Sequence, residues 1–272
     1  MATKRRGSDR LRSETPGDIP RPAYPASVRG SLGSALNGKV AVVTGASRGI
    51  GLAIARALAS EGCNLALAAR NIDSLREAAP DLVASDAVRV ILKSCDVRDE
   101  PSVAAFFEDV GKHFRQLDYL INNAGIAHQL RPVQELDPKV WRDVLDTNLN
   151  GLFLCTHYAL PLMRPGGAVV NNLSVAAQGT FPGHAGYNTS KWGGLGFTNT
   201  LREELRPRRI RVMALIPGPT DTEIWEQFMP EAAHSDKMMS PASVAQAVVD
   251  CLSLPEKSVV EEIKIRPIAG TI

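Results

Sequence analysis

Lys39-Val40-Ala41-Val42-Val43-Thr44-Gly45-Ala46-Ser47-Arg48-Gly49-Ile50-Gly51 decides the fold. Its first half is an apolar, β-branched run that reads as a strand. Its second half is a glycine-rich turn, and Ile50–Ser60 beyond it is rich in Ala, Leu and Ile and reads as a helix ending at Gly62. Glycine at 45, 49 and 51 permits a tight turn and lets the backbone approach a ligand closely. The helix that follows presents free N–H groups and the positive end of its dipole to that turn, so strand, turn and helix together form an anion-binding device.

Downstream the chain keeps alternating short apolar runs with helical patterns, the signature of a parallel sheet. Strands are predicted at Lys39–Thr44, Asn64–Ala69, Val88–Ser94, Asp118–Asn122, Ala168–Leu173, Ile210–Ile216 and Val259–Ile265. Helices are predicted over Asp73–Ala84 with an interruption near Pro80, from Pro101 to about Phe114, from Asp137-Pro138 to about Met163, from about Gly186 to Leu205, and over Ser240–Leu252. Residues 1–37 differ. They carry seven basic residues, Lys4 to Arg29, against Asp9, Glu14 and Asp18, with Pro16, Pro20, Pro22 and Pro25 between. This segment reads as a disordered basic tail preceding one domain over 38–272.

Composition narrows the class. The chain has 272 residues, 44% hydrophobic, enough for one large α/β domain. A net charge of +2 with basic residues scattered through the body argues against nucleic acid. No apolar run reaches membrane-helix length, and the tail lacks the apolar core of a secretory signal. Cys63, Cys95, Cys155 and Cys251 form no Cys-x-x-Cys pair and read as reduced thiols of a cytoplasmic protein. The five histidines have no metal-ligand spacing, so no metal is expected.

Chemistry concentrates in two later segments. Tyr187 and Lys191 stand four residues apart, on one face of the predicted helix, and Ser174 lies thirteen residues before the tyrosine. A free phenol has a pKa near 10. Two unit charges about 4 Å apart at an effective dielectric near 20 interact by about 4 kcal/mol, so the Lys191 ammonium is expected to lower that value. Together with the glycine turn, this set resembles the short-chain dehydrogenase/reductase family in its short single-domain branch, over about Gly38 to Pro267. The resemblance implies a Rossmann-type, doubly wound α/β fold: a mainly parallel seven-stranded sheet with helices on both faces. It implies hydride transfer between a nicotinamide cofactor and a carbonyl or alcohol, and assembly as a homodimer or homotetramer.

Residue by residue, the resemblance makes Tyr187 the general acid/base, Ser174 a donor to the substrate oxygen, and Lys191 a second-role residue holding the nicotinamide ribose. Asn148, in Asp146-Thr147-Asn148-Leu149-Asn150-Gly151, resembles the asparagine that carries a proton-relay water. Gly45, Ser47, Arg48, Gly49, Ile50 and Gly51 would cradle the pyrophosphate. Asp96, with Val97 beside it, resembles the residue that bonds the adenine amino group. Asn123, Ala124 and Gly125 follow the fourth strand in an Asn-Asn-Ala-Gly motif bordering the cofactor. Pro217 and Gly218 precede Thr220, which resembles the threonine that holds the carboxamide.

Cofactor choice is read from the end of the second strand. Ala69 stands where NAD enzymes place a carboxylate for the ribose 2′-hydroxyl, and Arg70 follows it. With Arg48 this favours the 2′-phosphate of NADP(H). Leu173 replaces a serine common before the catalytic one, and Asn171-Asn172 is an unusual pair that touches no assigned role. Thr222–Met239, with Ile224, Trp225, Phe228, Met229, Met238 and Met239, is the expected substrate lid, and its apolar character suggests an apolar or mixed carbonyl substrate. Two rival readings stand beside this one. A catalytically silent NADP-binding regulator would lack the Ser174, Tyr187, Lys191 and Asn148 set. An epimerase or dehydratase would carry a larger C-terminal domain.

Overall fold

The computed structural model describes residues 35–270. The tail read over 1–37 lies outside them except for its last three residues. Of these, Leu36 is fully buried in the core, and its carbonyl accepts from the Cys63 thiol at 3.2 Å. Seven parallel strands run in the order β3-β2-β1-β4-β5-β6-β7: β1 Val40–Thr44, β2 Asn64–Ala69, β3 Val90–Ser94, β4 Leu117–Asn122, β5 Met163–Asn172, β6 Arg211–Pro217 and β7 Glu262–Ile265. In the register, Val43 of β1 lies beside Leu67 of β2 and Ile121 of β4.

The strands are apolar on both faces because helices cover both. On one face Ala41, Val43, Leu65, Leu67, Ile121 and Leu215 pack with Ile54 and Leu58 of α1 (Gly49–Ser60), Leu75 of α2 (Ile72–Ala78) and Val244 and Val248 of α9 (Pro241–Leu252). On the other, Val40, Val42, Leu120, Val169 and Val212 meet Phe106 and Phe107 of α4 (Glu100–Phe114), Cys155 and Ala159 of α6 (Gly151–Ala159) and Leu201 and Leu205 of α7 (Ala185–Leu205). Alternate residues of each strand thus enter opposite core layers, as a period of two demands. The doubly wound Rossmann-type arrangement expected from the sequence is present, with every strand parallel.

One break falls where the sequence placed it, and other boundaries move, β5 beginning at Met163 rather than Ala168. The helix expected over Asp73–Ala84 is broken near Pro80 as expected, into α2 and α3 (Pro80–Val83), because Pro80 cannot donate to the preceding turn. The helix expected from Asp137 to Met163 is interrupted: α5 (Pro138–Leu145) gives way to a π-turn over Asp146–Asn150, α6 then ends at Ala159, and Met163 already belongs to β5. Pro161 lacks the backbone N–H that would continue the ladder, although Leu160 before it is still helical. The last strand starts at Glu262, not Val259. The short α8 (Trp225–Phe228) stands within the lid. Among the described residues no helix is long and apolar enough to cross a membrane.

Candidate active site

Strand order reverses between β1 and β4, and ligands of such sheets sit at this switch, beyond the carboxyl ends of the strands. A cavity of about 630 Å³ opens there. Every site residue read from the sequence lines it except Gly51 and Asn148. Gly45 and Gly49 adopt left-handed φ of +63° and +54°. Gly51 packs where a side chain would strike Asn123 and the Gly45 carbonyl, so its part is to let the turn close on β4.

The turn is tied to the β4 end by one hydroxyl and one amide. Thr44 Oγ1 accepts from the backbone N–H groups of Asn123 and Ala124 at 3.0 and 3.1 Å. Asn123 Nδ2 donates to the carbonyls of Thr44 and Gly45, both at 3.0 Å. Asn123 Oδ1 in turn accepts from Asn172 Nδ2 at 2.8 Å, and the Asn172 carbonyl accepts from Lys191 Nζ at 3.1 Å. Asn172 therefore joins the glycine turn to the lysine, which corrects the reading that the Asn171-Asn172 pair touches no assigned role. Asn171 is fully buried one layer below, accepting from Asn122 and donating to Thr198, both at 2.9 Å.

Ser174, Tyr187 and Lys191 come together as read. Ser174 follows β5, its hydroxyl accepts from Ala176 N at 3.1 Å, and it hydrogen-bonds the Tyr187 side chain. Lys191 Nζ lies 5.4 Å from the Tyr187 ring centroid. Burial raises the Tyr187 phenol above its ordinary value, with the Ser174 hydrogen bond acting in the opposite direction. Burial pulls Lys191 down to about 8. The expectation that the lysine lowers the tyrosine is thus not met in this arrangement. The ammonium is engaged with Asn172, and removal from water dominates the phenol.

Asn148 stands just outside the lining of the cavity. It is 3% exposed, in the π-turn, and clasps Ile126 in both directions: Oδ1 accepts from Ile126 N at 2.8 Å and Nδ2 donates to Ile126 O at 2.9 Å. Nδ2 also donates to Ser190 Oγ at 3.0 Å. It lies behind Gly125, where an added Cβ would fall 3.4 Å from Asn148 Oδ1 and 3.7 Å from Lys191 Nζ. Asn150, two residues on, donates to Asp146 at 2.8 Å on the surface.

Arg48 and Arg70 are exposed at the far end of the cavity, with no salt bridge from either among the described residues. Asp96 is already engaged: Arg98, not foreseen, binds its carboxylate at 2.7 Å and holds its pKa below the usual range. Thr220 is buried and donates to the Gly218 carbonyl at 3.0 Å. Thr222, also unforeseen, packs against the glycine turn, its methyl 3.1 Å from where a Gly49 Cβ would stand. Of the lid, Ile224, Trp225 and Met229 line the cavity, and so does Gln227, which accepts from Ala127 N at 3.3 Å. Met238 and Met239 do not line it. Thr222 carries no signal in single-sequence periodicity, because what distinguishes it is the glycine turn that it faces.

A family profile described as short chain dehydrogenase matches residues 39–233. The chain belongs to this family. It is 34% identical over 238 residues to sulfoacetaldehyde reductase 2 of Chromohalobacter salexigens, covering 84% of this chain and 94% of that one. Its fold superposes on an alcohol dehydrogenase of the archaeon Thermococcus sibiricus, solved with 5-hydroxy-NADP, at TM-score 0.77 and 32% identity over 85% of this chain and 97% of the other. A 3-ketoacyl-(acyl-carrier-protein) reductase of Brucella melitensis, solved with NADH, superposes at TM-score 0.76 and 26% identity, covering 86% and 98%. This short-chain dehydrogenase is thus an oxidoreductase of a family that takes NAD(P)(H). Its residues fit such a dinucleotide: a glycine turn with left-handed backbone at a helix N-terminus, two exposed arginines beyond it, and a cavity running from there to Tyr187.

Proposed function

We propose that this short-chain dehydrogenase interconverts a carbonyl and an alcohol with NADP(H), using Tyr187 as general acid and base. The observation that carries the reading is the Ser174–Tyr187 hydrogen bond beside Lys191, at the end of the cavity opposite Arg48 and Arg70. The dinucleotide, when bound, supplies the hydride in reduction and accepts it in oxidation. Ser174 donates to the carbonyl oxygen and fixes its direction. As that oxygen gains charge, the Tyr187 hydroxyl delivers its proton and the alcohol forms. Burial keeps the phenol protonated at neutral pH, the form that reduction requires. Lys191 holds the ribose side of the crevice, and Asn148 holds the Ile126 backbone that lines it.

Arg48 and Arg70 favour NADP(H) over NAD(H), since Ala69 offers no carboxylate to repel a 2′-phosphate. The Chromohalobacter relative is named for a small anionic aldehyde and the archaeal structure for alcohols. Both agree with carbonyl/alcohol chemistry, and neither name is carried over as the substrate here. Assembly as a homodimer or homotetramer belongs to the same proposal, supported by Phe153 and Trp192, which are about half exposed on α6 and α7.

The test is Tyr187→Phe, which keeps the ring and deletes the hydroxyl. NADPH-dependent reduction of an aromatic aldehyde is expected to fall about 10²–10⁴-fold while NADPH still binds. Near-normal turnover would refute the mechanism.

A further inference from the structure

The two ends of the cavity differ in charge. Arg48, Arg70 and Arg98 stand beyond β1, β2 and β3, in one half of the sheet. Ser174 stands beyond β5, two strand positions from β1, which is about 10 Å at the ~4.8 Å spacing of neighbouring strands. Val175, which follows Ser174 directly, Phe181, and Ile224, Trp225 and Met229 of the lid are apolar residues that line the cavity. Lys191 is the cation at this end among the described residues, and its ammonium is buried and bonded to the Asn172 carbonyl. The charged lid residue that lines the cavity, Glu223, is an acid whose carboxylate lies at the glycine turn, 3.6 Å from where a Gly49 Cβ would stand, and adds no cation to this wall.

His184 is the remaining titratable group of this wall. It precedes α7, is 7% exposed, and lines the cavity with its ring centroid 5.9 Å from that of Tyr187, edge to face. Its other aromatic neighbour is His128, from the segment after β4, also at 5.9 Å. Burial, reinforced by His128, lowers its pKa to about 4, so the imidazole is neutral at physiological pH. A carboxylate or sulfonate brought to this wall would leave water without meeting a free cation, and an unpaired buried charge is strongly disfavoured.

We propose that the site selects uncharged carbonyl compounds bearing an apolar group and discriminates against those carrying an anion near the carbonyl, with His184 as the neutral wall residue that sets the choice. The inference rests on the reading that the carbonyl binds at the Tyr187 hydroxyl. The probes are methyl 4-formylbenzoate and 4-formylbenzoate, which differ by one ester methyl and one charge. With NADPH, kcat/KM for the ester is expected to exceed that for the carboxylate by about ten-fold or more. Their ratio should stay flat from about pH 5.5 to 7, because His184 at about 4 and the probe titrate below that window and Lys191 at about 8 titrates above it. His184→Arg should raise the carboxylate's relative efficiency about ten-fold or more by adding a charge-assisted partner. His184→Gln should leave the ratio within about three-fold, as a neutral replacement.

A carboxylate used as well as the ester would overturn the proposal, and so would a ratio that moves toward the carboxylate as pH falls. Calorimetric binding of both probes to the NADPH complex of Tyr187→Phe reads selectivity without chemistry. Tighter ester binding there, with no turnover of either probe by the wild type, would sustain the substrate class and overturn the hydride-transfer reading. Equal or tighter carboxylate binding would overturn the substrate class alone.

Discussion

Arg70 and Lys191 show how position divides two cations of one cavity. Lys191 is buried, bonded to Asn172 and shifted downward by loss of water. Arg70 is exposed just past β2, where a long flexible guanidinium can close on a phosphate. Arg70→Ala is therefore expected to weaken NADPH about ten-fold or more while NADH binding stays nearly unchanged. Fluorescence titration of the two cofactors measures this, and an equal loss for both would remove Arg70 from the 2′-phosphate. Lys191→Met should behave differently. It removes the link to Asn172 and should reduce the binding of both cofactors together with turnover. These residues were legible because Tyr, Lys, Ser and Gly occur at spacings that strand and helix geometry converts into proximity. Asn172 was not, since its partner Asn123 becomes informative only once the segments are folded together.

At the scale of elements, the lid carries its own titratable clasp. His234, at φ +58°, meets Asp221 through Nδ1 at 2.7 Å and Glu226 through Nε2 at 3.3 Å. Only the imidazolium can donate from both nitrogens to both acids, and the two carboxylates raise its pKa accordingly. A group with a raised folded-state pKa contributes fully below its ordinary value, near 6.5, and the contribution disappears as pH rises through the raised one. Limited proteolysis within 222–239 should therefore accelerate as pH increases from about 6 to 9. His234→Gln should remove that step when cleavage rates are compared with wild type at each pH. Unchanged pH dependence in the variant would dismiss the clasp. The apolar lid pattern was visible in the sequence. The clasp was not, because residues 221, 226 and 234 follow no helical or strand period.

At the scale of the whole molecule, the fold binds its edge residues as firmly as its motifs. Leu36 is 0% exposed and belongs to the core layer of α1, β1 and β2. Leu36→Ala should cost about 2–5 kcal/mol in a denaturant melt, the usual penalty for a cavity of that size. Deleting residues 1–30 should leave turnover within about two-fold, since the site is built from residues 45–229. A large loss with the fold intact would show that the tail contributes to the site or to assembly.

Sequence alone determined the parallel α/β architecture, the glycine turn, and the placement of Ser174, Tyr187 and Asn123 at one end of the sheet. Those features rest on local periods of two and 3.6 and on the rule that loops beyond parallel strands share one side. Tertiary structure alone decided the π-turn that draws Asn148 inward, the Asn172 bridge to Lys191 and the direction of the Tyr187 shift. Each depends on burial or on a partner reached through packing, and neither desolvation nor an inter-strand hydrogen bond leaves a periodic trace along the chain.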